Sequence, residues 1–265
     1  MAVCKTPAVV VSRRPLGESD RLVEFYTRDF GKLRGVAKSA RRPRSRLASA
    51  LEPFTLGELI FFDAGQRDLV RVDHFDIVHP FVDVREHLDR LGRGAWMIES
   101  VVRLTADRDP QPALFRLLVR GMKALEVSSR PAWVSACFAM RAVDLLGHRP
   151  RLDRCGSCHR PYPFAGAALD VGAGGLVCGR CRPGTDALPL SAAAARTLRR
   201  LHELRWEDAV ELPLKTAIPE DEVSAALDGM VARLAGQIPR SARFLAQMRR
   251  SASRIAEPAP AGRPR

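Results

Sequence analysis

Residues 67–78 read RDLVRVDHFDIV. Leu69, Arg71 and Asp73 fall on one side of an extended chain, and Val70, Val72 and His74 fall on the other. Strand side chains alternate between faces with a period of two, so this stretch predicts a half-buried β-strand. Four more short apolar or alternating runs precede it, at 8–13, 21–27, 32–37 and 56–62. Turn formers separate them: Pro15-Leu16-Gly17, Asp29-Phe30-Gly31 and Ala64-Gly65-Gln66. Short strands punctuated this way within residues 1–80 predict a small closed barrel. A five-stranded OB-fold is the natural candidate, and periodicity alone leaves an SH3-like barrel open.

Beyond about Val82 the apolar period lengthens to that of a helix. Leu88, Leu91, Ala95, Ile98 and Val102 recur at three- and four-residue steps. Leu114, Leu117, Leu118, Met122 and Leu125 make a second stripe, with Pro112 near its start, where a proline costs little. A third helix spans 133–146 and is ended by Gly147 and Pro150. Ser191 is a suitable N-cap for a helix running to about Arg205. Val223, Leu227, Met230, Val231 and Leu234 mark another, and Glu220, Asp221 and Glu222 in its first turn suit the helix dipole. A last basic helix is expected from Ser241 to about Ile255. The expected organisation is α+β: a barrel at 1–80, a helical domain at 81–255 with a ribbon inserted at about 152–185, and a disordered Pro- and Arg-rich tail at 256–265.

The chain has 43 Lys and Arg against 30 Asp and Glu, a formal charge of +13. A coding bias towards Arg would replace Lys but would not create an excess of base over acid. Such a balance favours a polyanionic partner. The apolar run at 8–11 is too short for a signal-peptide core, and no run approaches the ~18 residues of a membrane span. The expectation is a cytoplasmic protein with no membrane partner, whose cysteines are reduced unless they bind metal.

Residues 150–185 differ from their surroundings in being rich in Gly, Pro and Cys. Cys155-Gly-Ser-Cys158 and Cys178-Gly-Arg-Cys181 form two C-x2-C knuckles nineteen residues apart. Each knuckle turns two sulfurs towards one point, and two knuckles supply four thiolates for a tetrahedral Zn2+. An all-cysteine set leaves no open position for water, so the expected role is structural. His159 is expected to be exposed rather than a ligand. Cys137, in an apolar helix, reads as core, and Cys4 as part of a frayed terminus.

Residues 28–46 read RDFGKLRGVAKSARRPRSR, with eight basic residues and the single acid Asp29. Most charge runs are solvated surface. Here the charges share one sign and flank a small barrel of a type that binds single strands. Lys32, Arg34, Lys38, Arg41, Arg42 and Arg44 are therefore the candidate phosphate contacts. A second basic cluster comprises Arg240, Arg243, Arg249, Arg250 and Arg254. No phosphate-binding glycine loop, zinc-protease motif or local Ser-His-acid set occurs, so nothing supports catalysis.

Taken in order, these pieces resemble a known family. Arg14-Pro-Leu-Gly-Glu-Ser-Asp-Arg21, Thr27-Arg-Asp-Phe-Gly-Lys-Leu-Arg34, Ala37-Lys-Ser-Ala-Arg-Arg-Pro43 and Leu51-Glu-Pro-Phe-Thr55 are similar to the N-terminal domain of the bacterial DNA repair family RecO. Leu145-Leu-Gly-His-Arg-Pro150, Leu152-Asp-Arg-Cys155, Gly174-Gly-Leu-Val-Cys178 and Pro189-Leu-Ser191 continue the likeness, which covers roughly residues 3–250. The resemblance implies an OB-fold followed by a helical domain carrying a zinc ribbon. It implies binding of single- and double-stranded DNA, strand annealing, and help for RecA in loading onto SSB-coated strands, together with RecR, at the nucleoid. Some family members lack the cysteines, so the resemblance does not make the metal necessary for function. It also implies the acidic SSB C-terminal tail as a ligand. A receptor for that tail needs an apolar slot rimmed by arginine, expected here between the helices 132–146 and 191–205, which offer Arg141, Arg196, Arg199 and Arg200 beside Phe138, Leu145, Leu198 and Leu201. A zinc-ribbon transcription or RNA-binding factor is the alternative that strand annealing would exclude. A metal-dependent nuclease would need converging carboxylates, and Asp107 with Asp109 is the nearest pair.

Overall fold

The structure, a computed structural model, describes residues 2–65, 68–183, 186–215, 217–245 and 247. The N-terminal part is a closed barrel of β1 (Ala2–Leu16), β2 (Asp20–Thr27), β3 (Gly31–Ala37), β4 (Leu56–Asp63) and β5 (Leu69–His79), in the order β1-β2-β3-β5-β4. β3 and β5 pair in parallel, and the other pairs are antiparallel. This connectivity resolves the choice left by periodicity in favour of the OB-type barrel. β1 is longer than its apolar run because it serves two neighbours. Ala2 to Val9 pair with β4, and Ala8 to Leu16 pair with β2 across a register shift between Val10 and Ser12. Cys4, expected to be frayed, instead sits opposite Phe61. Pro7 inside the strand hides this extension, since proline in a run argues against a paired strand.

The barrel is filled by Val10, Phe25, Leu33, Phe61 and Val72, and α1 (Leu47–Ala50) brings Ala50 and Leu51 against them. On β5, Val70 and Val72 point inward as their alternation requires. A register shift between Ile60 and Phe61 then leaves Asp73 unpaired and changes the parity, so that Phe75 rather than His74 enters the core. A β-bulge has this effect on the faces of a strand.

The helices are α2 (Val82–Glu86), α3 (Leu88–Leu104), α4 (Pro112–Val127), α5 (Pro131–Leu145), α6 (Ala192–Glu203), α7 (Trp206–Lys215) and α8 (Glu220–Leu234). Ser191 caps α6 as its residue type suggests, accepting the N–H of Ala194 at 3.1 Å. α5 lies at the centre and touches α3, α4, α6, α7 and α8. Trp133, Val134, Phe138 and Ala139 along it are fully buried. α7 has no counterpart in the sequence reading, because Pro213 inside it reads as a helix breaker. Trp133 of α5 fixes it by donating to the carbonyl of Ala209 at 2.8 Å. The ribbon, between α5 and α6, is a small sheet in the order β7 (Gly175–Val177), β6 (Ala168–Asp170), β8 (Leu188–Pro189).

Barrel and helices share one apolar core. Val9, Tyr26, Phe54 and Leu56 of the barrel side belong to the same cluster as Trp96, Phe115 and Trp133. Among the described residues no helix is long and apolar enough to cross a membrane.

Candidate functional site

Two regions carry the chemistry read from the sequence: the cysteine centre and the basic side of the barrel. In the first, Cys155 and Cys158 come from the loop after α5, and Cys178 and Cys181 follow β7. Their sulfurs all lie within 4.8 Å of one another, and none is in a disulfide. Two backbone bonds set the first knuckle on the strand: Gly156 N–H donates to Leu176 O at 2.7 Å, and Leu176 N–H donates to Arg151 O at 2.8 Å. Gly156 must be glycine, because a Cβ there would stand 2.4 Å from the carbonyl oxygen of Ala173. Burial opposes ionisation of Cys155, but the N–H groups of Cys158, Cys178 and Ser157 outweigh it and hold its pKa down at about 6. Hydrogen bonds that the Cys181 thiol donates to Cys178 and Cys158, together with burial, push its pKa up to about 12. Four sulfurs this close ionise together only around a cation.

The residues fit such an ion. A tetrahedral centre with bonds of about 2.3 Å has edges of about 3.8 Å, and Cys158 Sγ lies 3.8 Å from Cys178 Sγ. His159 is exposed and outside the group. Cys137 is buried in α5, where burial raises its thiol pKa.

On the barrel, the six expected phosphate contacts divide by environment. Lys32 is inward: its Nζ donates to Val102 O at 2.9 Å and lies 3.0 Å from Asp107, with its side chain 13% exposed. It ties β3 to the end of α3 and is committed to that bridge. Arg34 reaches the same carboxylate at 3.5 Å. Lys38 pairs with Asp20 at 3.1 Å, and Arg41 donates to Gly17 O at 2.9 Å, both from exposed positions. Arg42 and Arg44, with neighbouring Arg46, are exposed and make no side-chain hydrogen bond or ion pair among the described residues.

The turn that presents them is anchored from below. Ala40 is fully buried in the barrel core, and Asp20 accepts the N–H of Ser39 at 2.8 Å. That N–H and the Lys38 ammonium hold the Asp20 carboxyl below its ordinary range. Arg13 and Arg21 lie on the same side, and both donate at 3.1 Å to Ala48 O in α1. Sequence reasoning misses this pair, since nothing local distinguishes an arginine that braces a turn from one that faces solvent.

Asp107 and Asp109 do not form an open carboxylate pair. Asp107 holds Lys32 and Arg34, and Asp109 accepts from Gln111 at 3.0 Å. In the second basic cluster Arg240 and Arg243 are exposed, whereas Arg249, Arg250 and Arg254 lie outside the described residues, as does the tail at 256–265.

The slot expected between α5 and α6 is corrected by the packing. The two helices do touch, but Phe138, Leu198 and Leu201 are core residues with at most 1% exposure. Arg141 is committed to the carbonyls of His202 and Leu201 at 3.1 and 3.4 Å, where it caps the end of α6. Arg199 stacks over the Tyr162 ring at 4.8 Å. Arg196 and Arg200 are exposed, and of the four named apolar residues only Leu145 reaches solvent appreciably, at 47%. A helix pair that buries its apolar stripe to build the core cannot also offer it as a slot.

Comparison with known proteins accounts for nearly the whole chain. The family model described as Recombination protein O N terminal matches residues 1–81, and the one described as Recombination protein O C terminal matches residues 85–243. A DNA repair protein RecO from Syntrophobacter fumaroxidans is 40% identical over 160 residues, 60% of this chain and 63% of its own length, so the likeness spans just under two thirds of that relative. One from Anaeromyxobacter dehalogenans is 35% identical over 243 residues, 91% of this chain and 95% of its own. One from Frankia casuarinae is 37% identical over 213 residues, 79% of this chain and 86% of its own.

Proposed function

Since the chain belongs to the Recombination protein O family of DNA repair proteins, we propose that it is a non-catalytic mediator. It binds single- and double-stranded DNA, anneals complementary strands and, with RecR, helps RecA load onto SSB-coated strands at the nucleoid. The observation that carries the DNA-binding part is the turn at 38–46. Its Arg42 and Arg44 are exposed and, among the described residues, without acidic partners, on a closed barrel. Arg34, Lys38 and Arg41 extend the same side, while Lys32 ties β3 to the end of α3. Guanidinium groups on phosphates release condensed counterions and specify no bases, so affinity should be salt-dependent and weakly sequence-dependent. Neutralising phosphates also lowers the repulsion that keeps two complementary strands apart.

The cysteine centre is proposed to hold zinc. Four cysteine sulfurs within 4.8 Å of one another suit that ion and would close its coordination sphere, so its contribution is to the stability of the ribbon.

The test is the salt dependence of binding to a single-stranded oligonucleotide. Every phosphate that is no longer neutralised should flatten the log–log slope by about 0.7. Replacing Arg41, Arg42 and Arg44 together by Ala should therefore reduce it by roughly 2. A slope identical to wild type would remove the turn from the DNA site.

A further inference from the structure

The four sulfurs of the cysteine centre are not equally placed. Cys155 and Cys178 are buried, at 0% and 2% exposure, and Cys181 is half-buried, whereas Cys158 is exposed to solvent. Cys158 Sγ lies 3.8 Å from Cys178 Sγ, across the two knuckles. The Cys155 sulfur is differently engaged, since it accepts the N–H of Cys178 at 3.4 Å. A small electrophile arriving from solvent therefore meets Cys158 first, and the Cys178 sulfur stands behind it on the protein side. The knuckle loops also carry Arg160 and Arg180, both exposed. The two cysteines outside the centre are placed differently. Cys137 is 1% exposed inside α5, and Cys4 sits in β1 opposite Phe61.

We propose that Cys158 is an oxidation site, at which hydrogen peroxide converts the centre to a Cys158–Cys178 disulfide and discharges its metal. The inference rests on the zinc reading of the centre. The thiolate is the nucleophile towards peroxide, and a thiolate that serves as a metal ligand is already deprotonated. The Cys158 sulfur attacks one peroxide oxygen, the O–O bond breaks, and the other oxygen leaves as hydroxide, so that Cys158 becomes a sulfenic acid. The Cys178 thiolate then attacks the Cys158 sulfur. The S–S bond forms, the S–O bond breaks, and a second hydroxide leaves. Two thiolates thus lose two electrons to one peroxide, and the two hydroxides take up two protons from solvent to become water. Burial sets the order. Peroxide reaches Cys158 from outside and Cys178 reaches it from inside, so the second attack runs opposite to the departing oxygen. Positive charge from Arg160 and Arg180 at this edge favours that departure. A disulfide sulfur brings no charge to a cation, and two remaining thiolates do not close a tetrahedral site, so the centre loses its hold on the ion. The change is local, because Leu152, Leu169, Leu176 and Leu190 hold the rest of the ribbon to the helical core.

The experiment treats the zinc-loaded full chain with an equivalent of hydrogen peroxide and follows release of the ion with a metallochromic dye. A parallel sample contains dimedone, which traps sulfenic acids, and both samples are mapped by mass spectrometry. Zinc release should keep pace with disulfide formation. Dimedone should label Cys158 ahead of the other five cysteines, and the first disulfide should join Cys158 to Cys178. Dithiothreitol with added zinc should restore the centre, and the helical circular dichroism should persist throughout. Two matched variants, Cys158→His and Cys181→His, each leave three sulfurs and an imidazole, a set that suits zinc. Loaded with zinc, Cys158→His should release it under peroxide at least about tenfold more slowly than Cys181→His. Dimedone spread evenly over the four sulfurs would overturn the proposal, as would a first disulfide within one knuckle or equal release from the two variants. A chain that holds zinc and keeps it under peroxide refutes the oxidation site alone. A chain that takes up no zinc on refolding overturns the zinc reading and this inference with it, so the two failures are distinguishable.

Discussion

Lys32 shows how one side chain changes role between sequence and structure. Within a run of cations it reads as a phosphate contact. In the fold its ammonium closes onto Val102 O and Asp107, and the hydrogen bond from that ammonium is what most lowers the Asp107 pKa. Lys32→Met should therefore act on stability. Leaving these two acceptors without their charged donor should cost roughly 1–3 kcal/mol, read as a lowered urea midpoint, while DNA affinity changes less than in Arg42→Ala. A larger effect on DNA binding than on stability would return Lys32 to the interface. Glu99 is a comparable case on α3. It accepts the N–H groups of Arg240 and Ser241 and the Ser241 hydroxyl at 2.6–2.9 Å, and it pairs with Arg103. Burial works against its charge, but these donors outweigh it and hold the pKa at about 2, below the ordinary 4.5. A depressed carboxylate contributes stability above its unfolded pKa and loses it as pH falls through the folded one. Docking of residues 240–245 should then weaken between about pH 4.5 and 2. Glu99→Gln should already be loosened at neutral pH and lack this transition. Limited proteolysis of the segment across pH checks it, and identical profiles for the two proteins would refute the latch.

At the scale of elements, the β2–β3 hairpin and the ribbon are each held by a close approach that only glycine permits. Gly31 has φ +64°, and a Cβ there would lie 2.3 Å from Asp109 O. The left-handed backbone alone should make Gly31→Ala cost roughly 1–3 kcal/mol, and the contact between hairpin and the α3–α4 loop adds to it. A melting temperature equal to wild type would contradict the packing. The ribbon has two anchorages of different kinds. Leu152, Leu169, Leu176 and Leu190 belong to the helical core, whereas Cys155, Ala168, Val177 and Cys178 form a small cluster of their own. Removing the metal should accordingly free the knuckles and leave the helices intact, because metal-binding free energy is local folding free energy here. Protein refolded with zinc should hold about one equivalent. Chelation should open cleavage between 155 and 181 while the helical circular dichroism persists. A zinc content well under half an equivalent would sink the assignment.

Across the whole molecule, positive charge is sorted by the fold into braces and free surface. Arg93, 3% exposed, donates to Ser135 and Asp228 and links α3, α5 and α8. Arg141 caps α6. Arg42 and Arg44, by contrast, face solvent from an anchored turn. Because barrel and helices share one core through Tyr26 and Phe115, whose rings lie 6.2 Å apart, the two parts should unfold together. Calorimetry of the full chain should show one transition. Two well-separated transitions would mean that the seam contributes little.

Period-two alternation, the longer helical stripes and the paired C-x2-C knuckles are local properties, and each follows from bonds and spacings within a few residues. They determined the barrel strands and most of the helices, the four cysteines that come together and, with the wider resemblance, the family. The bulge at Asp73, the strand pairing of Cys4 and the helix around Pro213 depended on neighbours distant in sequence. So did the fate of each arginine and lysine. Whether a cation meets a carbonyl, a carboxylate or solvent is set by chain crossings such as β3 on the end of α3. Whether an apolar side chain becomes core or surface is likewise decided by what packs on it: Phe138 is fully buried beside Gly121 of α4, whereas Val78 is 67% exposed.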